Sequence, residues 1–164
     1  MTTSTSRGAG AFRLGLASLA SLALFAPGLA PAATVGLPPG VPDPCSLLTI
    51  AELVQVAGPL EGKPRPGDFA SGEISCEWTP TRSTRWINLS LSEPGLDALR
   101  RRNGGPKPVM LPEFGPGAFV NLDFEGTVDL YAQKGRLVVR VSMPIGPNAL
   151  EMTKALTRKA LARL

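Results

Sequence analysis

The chain contains no histidine. That absence removes a Ser-His-Asp triad, a Cys-His pair and every histidine-bearing zinc site, because each depends on an imidazole to move a proton or ligate a metal. Cysteine is nearly as scarce: Cys45 and Cys76 are the only two. Their spacing is neither C-x-x-C nor a zinc-finger pattern, and nothing else is present to complete a nitrogen–sulfur ligand set. No G-x-x-x-x-G-K-[ST], G-x-G-x-x-G or G-x-S-x-G string occurs, so the phosphate loop, the dinucleotide fingerprint and the nucleophile elbow are all missing. Gly115-Pro116-Gly117 is turn material, since its proline removes a backbone donor that a phosphate cradle would use. No cofactor is expected.

A strong excess of one charge is also missing. The whole chain is formally +4, but removing Arg7 and Arg13, which belong to a segment expected to be cleaved, leaves 15 basic residues against 13 acidic, a balance of +2. Only seven aromatic residues lie beyond residue 33, and most fall at inward-facing strand positions. A nucleic-acid surface wants clustered cations with aromatic stacking partners, so nucleic acid is not an expected partner.

The first 32 residues read as a secretory signal. Arg7 and Arg13 form a positive opening, no acidic residue precedes Asp43, and the apolar run 14–26 ends at Pro27-Gly28. That run is too short to cross about 30 Å of hydrocarbon comfortably, so no stable membrane span is expected. Ala30-Pro31-Ala32 fits a small-x-small cleavage site, and maturation is expected after Ala32. Residues 33–44 follow as a Pro/Gly-rich, extended lead-in. Residues 45–164 then form a single domain.

Within that domain, Thr49 with Glu52 three positions later predicts a capping box opening a helix that Gly58-Pro59 ends. The stretch from Leu60 to Gly72 reads as a surface loop. Residues 75–79 and 86–92 alternate as strands, with Cys76, Trp78, Ile87, Leu89 and Leu91 inward. Leu96 to Arg102 predicts a short helix, and residues 109–117 an irregular approach. Residues 118–143 alternate as a three-strand meander with turns at Glu125-Gly126 and Lys134-Gly135. One residue set should face the core and the other water. Asn148 and Glu151 predict a second capped helix running to the C-terminus, with Ala149, Leu150, Met152, Leu156, Ala160, Leu161 and Leu164 on one broad face. The order implies an α+β fold: an antiparallel sheet of about five strands, covered on one face by an N-terminal and a C-terminal helix.

If the chain is exported, Cys45 and Cys76 are most simply a disulfide, since oxidised pairs persist outside the cytoplasm. Two other groups are candidate sites. Asp123, Glu125 and Asp129 flank one turn, and such carboxylates serve cation binding or acid–base work when they converge; the plainer reading is solvated hairpin residues. Arg100, Arg101 and Arg102, with Lys107 nearby, form the densest positive run, suited to an anionic envelope polymer or lipid headgroups; the plainer reading is a solvated helix end. Trp86 and Tyr131 fall at positions facing away from the core, where aromatics serve contact surfaces. No metal site is expected.

Asp43-Pro44-Cys45-Ser46-Leu47-Leu48-Thr49, then Glu52-Leu53, then Cys76-Glu77-Trp78, resembles a family of small secreted proteins and lipoproteins common in actinobacteria, known mainly as a domain of unknown function. In that family a D-P-C-x-L-L-T opening precedes a helix and a C-x-W strand follows. Phe114-Gly115-Pro116-Gly117-Ala118 is similar to its glycine-containing approach to a strand pair. The resemblance covers Asp43 to about Leu161. It implies an α+β fold at the cell envelope and a Cys45–Cys76 pair, and brings no catalytic residues. Many members carry a lipobox that this chain lacks, so a lipid anchor is not expected. The expectation is therefore an exported, non-enzymatic module that binds another protein or a cell-wall component. The alternatives are a small carboxylate-dependent hydrolase using Asp123, Glu125 or Asp129, and a binder of anionic envelope polymer through Arg100–Arg102.

Overall fold

A computed structural model describes residues 39–67, 72–81, 85–103 and 108–164, leaving out the side chains of Asp123 and Phe124. The expected signal segment, most of the lead-in before residue 39, the turn at 82–84 and Lys107 lie outside the described residues. From residue 39 the chain enters a single 3-10 turn, Pro44–Ser46, which Asp43 caps by accepting a hydrogen bond from the Cys45 backbone N–H at 2.8 Å. Helix α1, Ile50–Ala57, follows. Its capping box is present in both directions: Glu52 N–H donates to Thr49 Oγ1 at 3.2 Å, and Thr49 N–H donates to Glu52 Oε2 at 3.0 Å. Gly58, at φ 87°, ends the helix in a conformation that side chains resist.

Among the described residues seven antiparallel strands make one sheet, in the order β1-β2-β3-β7-β6-β5-β4. They are β1 (Leu60–Pro66), β2 (Glu73–Pro80), β3 (Ile87–Ser92), β4 (Val109–Met110), β5 (Phe119–Phe124), β6 (Thr127–Lys134) and β7 (Leu137–Pro144). Two meanders, β1–β3 and β4–β7, therefore meet along the β3–β7 seam, where Leu89 faces Val141 and Leu91 faces Val139. The expected five strands become seven because both sheet edges are strands that the sequence reads as irregular. Pro64 and Pro66 argue against a central strand, but an edge strand has one side without partners and tolerates them. The register of β1 against β2 also shifts between Glu61 and Arg65, around Gly62. At the other edge β4 is two residues long, too short to show any period.

One face of the sheet carries the main core. Cys76, Trp78, Leu89, Leu91, Val120, Leu130, Val139, Val141 and Met143 are buried there beneath helix α3, Ala149–Arg163, which packs on β6 and β7 and against α1. The buried stripe of α3 includes Thr153 and Thr157, whose hydroxyls donate back to Ala149 O and Thr153 O at 2.8 Å. The expected Asn148 side-chain cap does not form. Asn148 sits at φ 60° with no side-chain bond to the helix, and its carbonyl instead accepts from Met152 N–H at 2.9 Å. The Arg158 guanidinium of α3 lies 5.0 Å from the Phe114 ring centroid, over the 3-10 turn Pro112–Phe114.

The Cys45–Cys76 disulfide joins the first 3-10 turn to β2, with Cα atoms 5.1 Å apart. Glu52 and Arg163 tie the start of α1 to the end of α3: the guanidinium donates to Glu52 Oε1 and to Leu47 O, each at 2.9 Å. The Arg163 hydrogen bond, reinforced by the Thr49 backbone and hydroxyl, lowers the Glu52 carboxyl from an ordinary 4.5 to about 2.

The second face departs most from expectation. Helix α2, Leu96–Asn103, crosses it and buries Leu96 and Leu99 on Phe119, Tyr131 and Val138. Leu96 N–H donates to Gln133 Oε1 at 3.3 Å, holding the helix start to β6. Helices thus lie on both faces, and the residues of β6 and β7 that alternate away from the main core are largely buried as well. Among the described residues no helix is long and apolar enough to cross a membrane.

Candidate functional site

Strand register brings the polar residues of this outer face into rows. Glu77 faces Asn88, Asn88 faces Ser142, Ser142 faces Asp129, and Asp129 faces Asn121. One step along, Ser75, Ser90, Arg140, Tyr131 and Phe119 align in the same way. The two rows meet a cleft of about 470 Å³ at the end of α2. Asp129, Tyr131, Arg140 and Ser142 rise from the sheet into it, while Trp86, Asn103, Glu125 and Thr127 form its sides. Two other hollows, of about 260 and 310 Å³, are walled chiefly by residues such as Val41, Ile74 and Leu91 or Met110, Pro112 and Pro116, and offer little chemistry.

Each wall is fixed by local structure. Asp129 is only 6 % exposed, and the Thr127 hydroxyl two residues before it on the same face donates to Oδ2. Tyr131 stacks on Phe119, ring centroids 4.6 Å apart and 11° from parallel, under the apolar side of α2. Burial pushes its phenol above the ordinary value; the Arg140 guanidinium beside it works in the opposite direction, and the Asp129 carboxylate adds to the rise. Arg140 pairs with Glu73 at 3.2 Å. Burial opposes its charge, but Glu73 first, then Tyr131 and Asp129, outweigh that and raise its pKa. The Asn121 amide donates to Asn103 O, locking the last residue of α2 to β5 and setting Asn103 at the cleft. The half-buried Trp86 sits where the chain enters β3 and supplies an aromatic wall.

Hydrogen-bonding capacity remains in this region. Among the described residues Asn88 Oδ1, Asn121 Oδ1 and Arg140 Nε are buried without an aligned partner, as is Trp78 Nε1 in the main core, and Glu73 Oε1 has its ion pair but no well-directed hydrogen bond. Buried polar atoms are nearly all paired in folded proteins, and four of these five exceptions lie on the outer face, Arg140 among them at the cleft.

The candidates from sequence separate cleanly. Asp129 lies in the cleft, Glu125 stands exposed at its rim in the β5–β6 turn at φ 54°, and the Asp123 side chain lies outside the described residues. The basic run does not converge. Successive helical residues point about 100° apart, and Arg100 is turned onto Asp97 at 2.9 Å while Arg101 and Arg102 face solvent. Tyr131 and Trp86 do face away from the main core, but Tyr131 is buried. Arg140, Ser142, Thr127 and Asn103 were not singled out by sequence. The available signal was an arginine set among valines, Val138-Val139-Arg140-Val141, where a charge is costly unless paired. Among the described residues no three of His, Cys, Asp or Glu are grouped to hold a metal ion.

Comparisons with family models, with curated proteins and with solved structures each returned no match.

Proposed function

We propose that this protein is an exported, non-enzymatic binding module of the cell envelope, and that it holds its ligand in the outer-face cleft. The observation that carries this reading is the convergence of Asp129, Tyr131, Arg140 and Ser142 beside Trp86 on a rigid sheet. Sites built on strands hold their groups more tightly than sites on loops, and a cleft of about 470 Å³ falls in the usual range of roughly 300–1,000 Å³ for small-ligand sites. The three-part N-terminal segment supports export, and so does the disulfide, which belongs to an oxidising compartment.

Two measurements test it. Mass spectrometry of material from the producing cells should find a chain beginning after Ala32 with Cys45 and Cys76 oxidised; an intact Met1 with reduced thiols in the cytosol overturns the export reading. In sedimentation with the envelope fraction of those cells, the protein should be retained, and Trp86→Ala or Asp129→Asn should weaken retention by about 10-fold. Joint replacement of Arg100, Arg101 and Arg102 by alanine should leave it intact; if that change alone abolishes retention, an anionic polymer on α2 takes the place of the cleft.

One observation favours a second reading. The cleft holds both Glu125 and Asp129, the minimum that carboxylate-dependent hydrolysis requires. Release of soluble fragments from envelope polymer, lost in both Glu125→Gln and Asp129→Asn, would establish it.

A further inference from the structure

The composition of the cleft narrows the chemistry of what fits it. We infer that its ligand is a saccharide unit, uncharged or amino-bearing, laid with its C–H face on Trp86 and its hydroxyls towards Asp129, Arg140 and Tyr131; the inference rests on the cleft being the binding surface.

Three features point there. The lining mixes both hydrogen-bond roles at close quarters: Asp129 accepts, Arg140 donates, and Tyr131, Ser142 and Thr127 do either. A purely apolar ligand would strip water from these groups and return nothing, which is unfavourable for a carboxylate and a guanidinium alike. The charge is the second feature. Among the described lining residues Glu125 and Asp129 stand against Arg140 alone, and Arg140 is already matched by Glu73 at 3.2 Å. A phosphate, sulfate or polyanion would meet two carboxylates and a guanidinium whose charge is spent. The third is the half-buried Trp86, an indole lining the same cleft as these polar groups. A sugar ring has this same two-sidedness, with hydroxyls that donate and accept around its edge and an apolar face formed by its axial hydrogens. Planar carboxylate and guanidinium groups engage adjacent hydroxyls in pairs, and an aromatic ring covers the apolar face.

The test titrates the purified protein with cellobiose, mannobiose, N,N′-diacetylchitobiose and inorganic phosphate, following tryptophan fluorescence and backbone NMR shifts. Trp78 lies in the main core, so a ligand-dependent fluorescence change reports Trp86. At least one disaccharide should give saturable shifts mapping to Thr127, Asp129 and Arg140. Affinity should fall at least ~10-fold in Trp86→Ala and Asp129→Asn and be largely kept in Trp86→Phe, which preserves a ring. Pelleting with insoluble glycan separates the sources: binding to polymer as well as disaccharide identifies a wall or capsule chain, and binding to disaccharide alone identifies a free sugar. Saturable binding of phosphate in the cleft, or no saturable shift with any of the three disaccharides, overturns the inference. If the sugars fail while Trp86→Ala still abolishes envelope retention, the cleft remains the binding surface and only the saccharide class falls. If neither substitution affects retention, the cleft reading falls with it.

Discussion

The two faces of this sheet are made by the same strands, residue by residue, yet are built on different physics. On the inner face Leu89, Leu130, Val139 and Val141 have no exposure and belong to a cluster of buried, chiefly apolar side chains. That face gains stability from the apolar area it removes from water, at roughly 25 cal/mol per Å². On the outer face the intervening residues Ser90, Asp129 and Ser142 are buried too and Arg140 is half-buried, on the side where α2 packs on Phe119, Tyr131 and Val138. Burying such polar groups contributes little, and among the described residues Arg140 Nε is left without an aligned partner. The difference separates the face that holds the main core together from the face proposed to bind. Proteins commonly give up stability at the surface they use.

Adjacent residues on β3 break the comparison most directly. Leu89→Ala, at a position with no exposure, should cost about 3–5 kcal/mol in denaturant unfolding. Replacing Cys45 and Cys76 together by alanine comes next. Opening a link across a sequence separation of 31 should cost ~3–4 kcal/mol on the chain-entropy account, and the loss should appear as a lower urea midpoint. Both changes act on the inner side and should leave envelope retention per folded molecule unchanged. The third effect is set by pH. Glu52 is held at about 2, below its ordinary 4.5, so its contribution is fully present above the ordinary value and drains away as pH falls towards the lowered one. Between pH 5 and pH 2 the wild type should therefore lose more stability than Glu52→Gln, as read by thermal unfolding at each pH; equal losses would remove Glu52 from the account. Ser90→Ala, one residue from Leu89 but on the other face, should be smallest, at ~1 kcal/mol or less.

Much of the fold is legible in the sequence, where local chemistry decides local structure. Thr49 and Glu52 sit at capping-box spacing and form it, and the alternation of residues 118–143 becomes β5, β6 and β7. The lone cysteine pair becomes the disulfide. What escapes depends on partners distant in sequence. Pro64 and Pro66 exclude a central strand, but nothing local says that an edge position is open to them. The alternation of Arg140 and Ser142 with Val139 and Val141 looks solvent-facing until α2 is laid on Val138 of the same side, and no residue in α2 encodes which face it will cross. Of the site, Asp129 was visible as a carboxylate near a turn. Its setting was not, because Arg140, Ser142 and Asn103 reach it only through the β6–β7 register and the path of the chain from β3 through α2.

The β3–β7 seam has a consequence in time. Each meander closes through neighbours near in the chain, but the seam joins Asn88 to Ser142 and Ser92 to Val138 across everything between. Contacts of such long span are costly to bring together and slow the search. Leu91 and Val139, facing each other there, are the places where lost volume should lengthen refolding, whereas losses within either hairpin should mainly hasten unfolding.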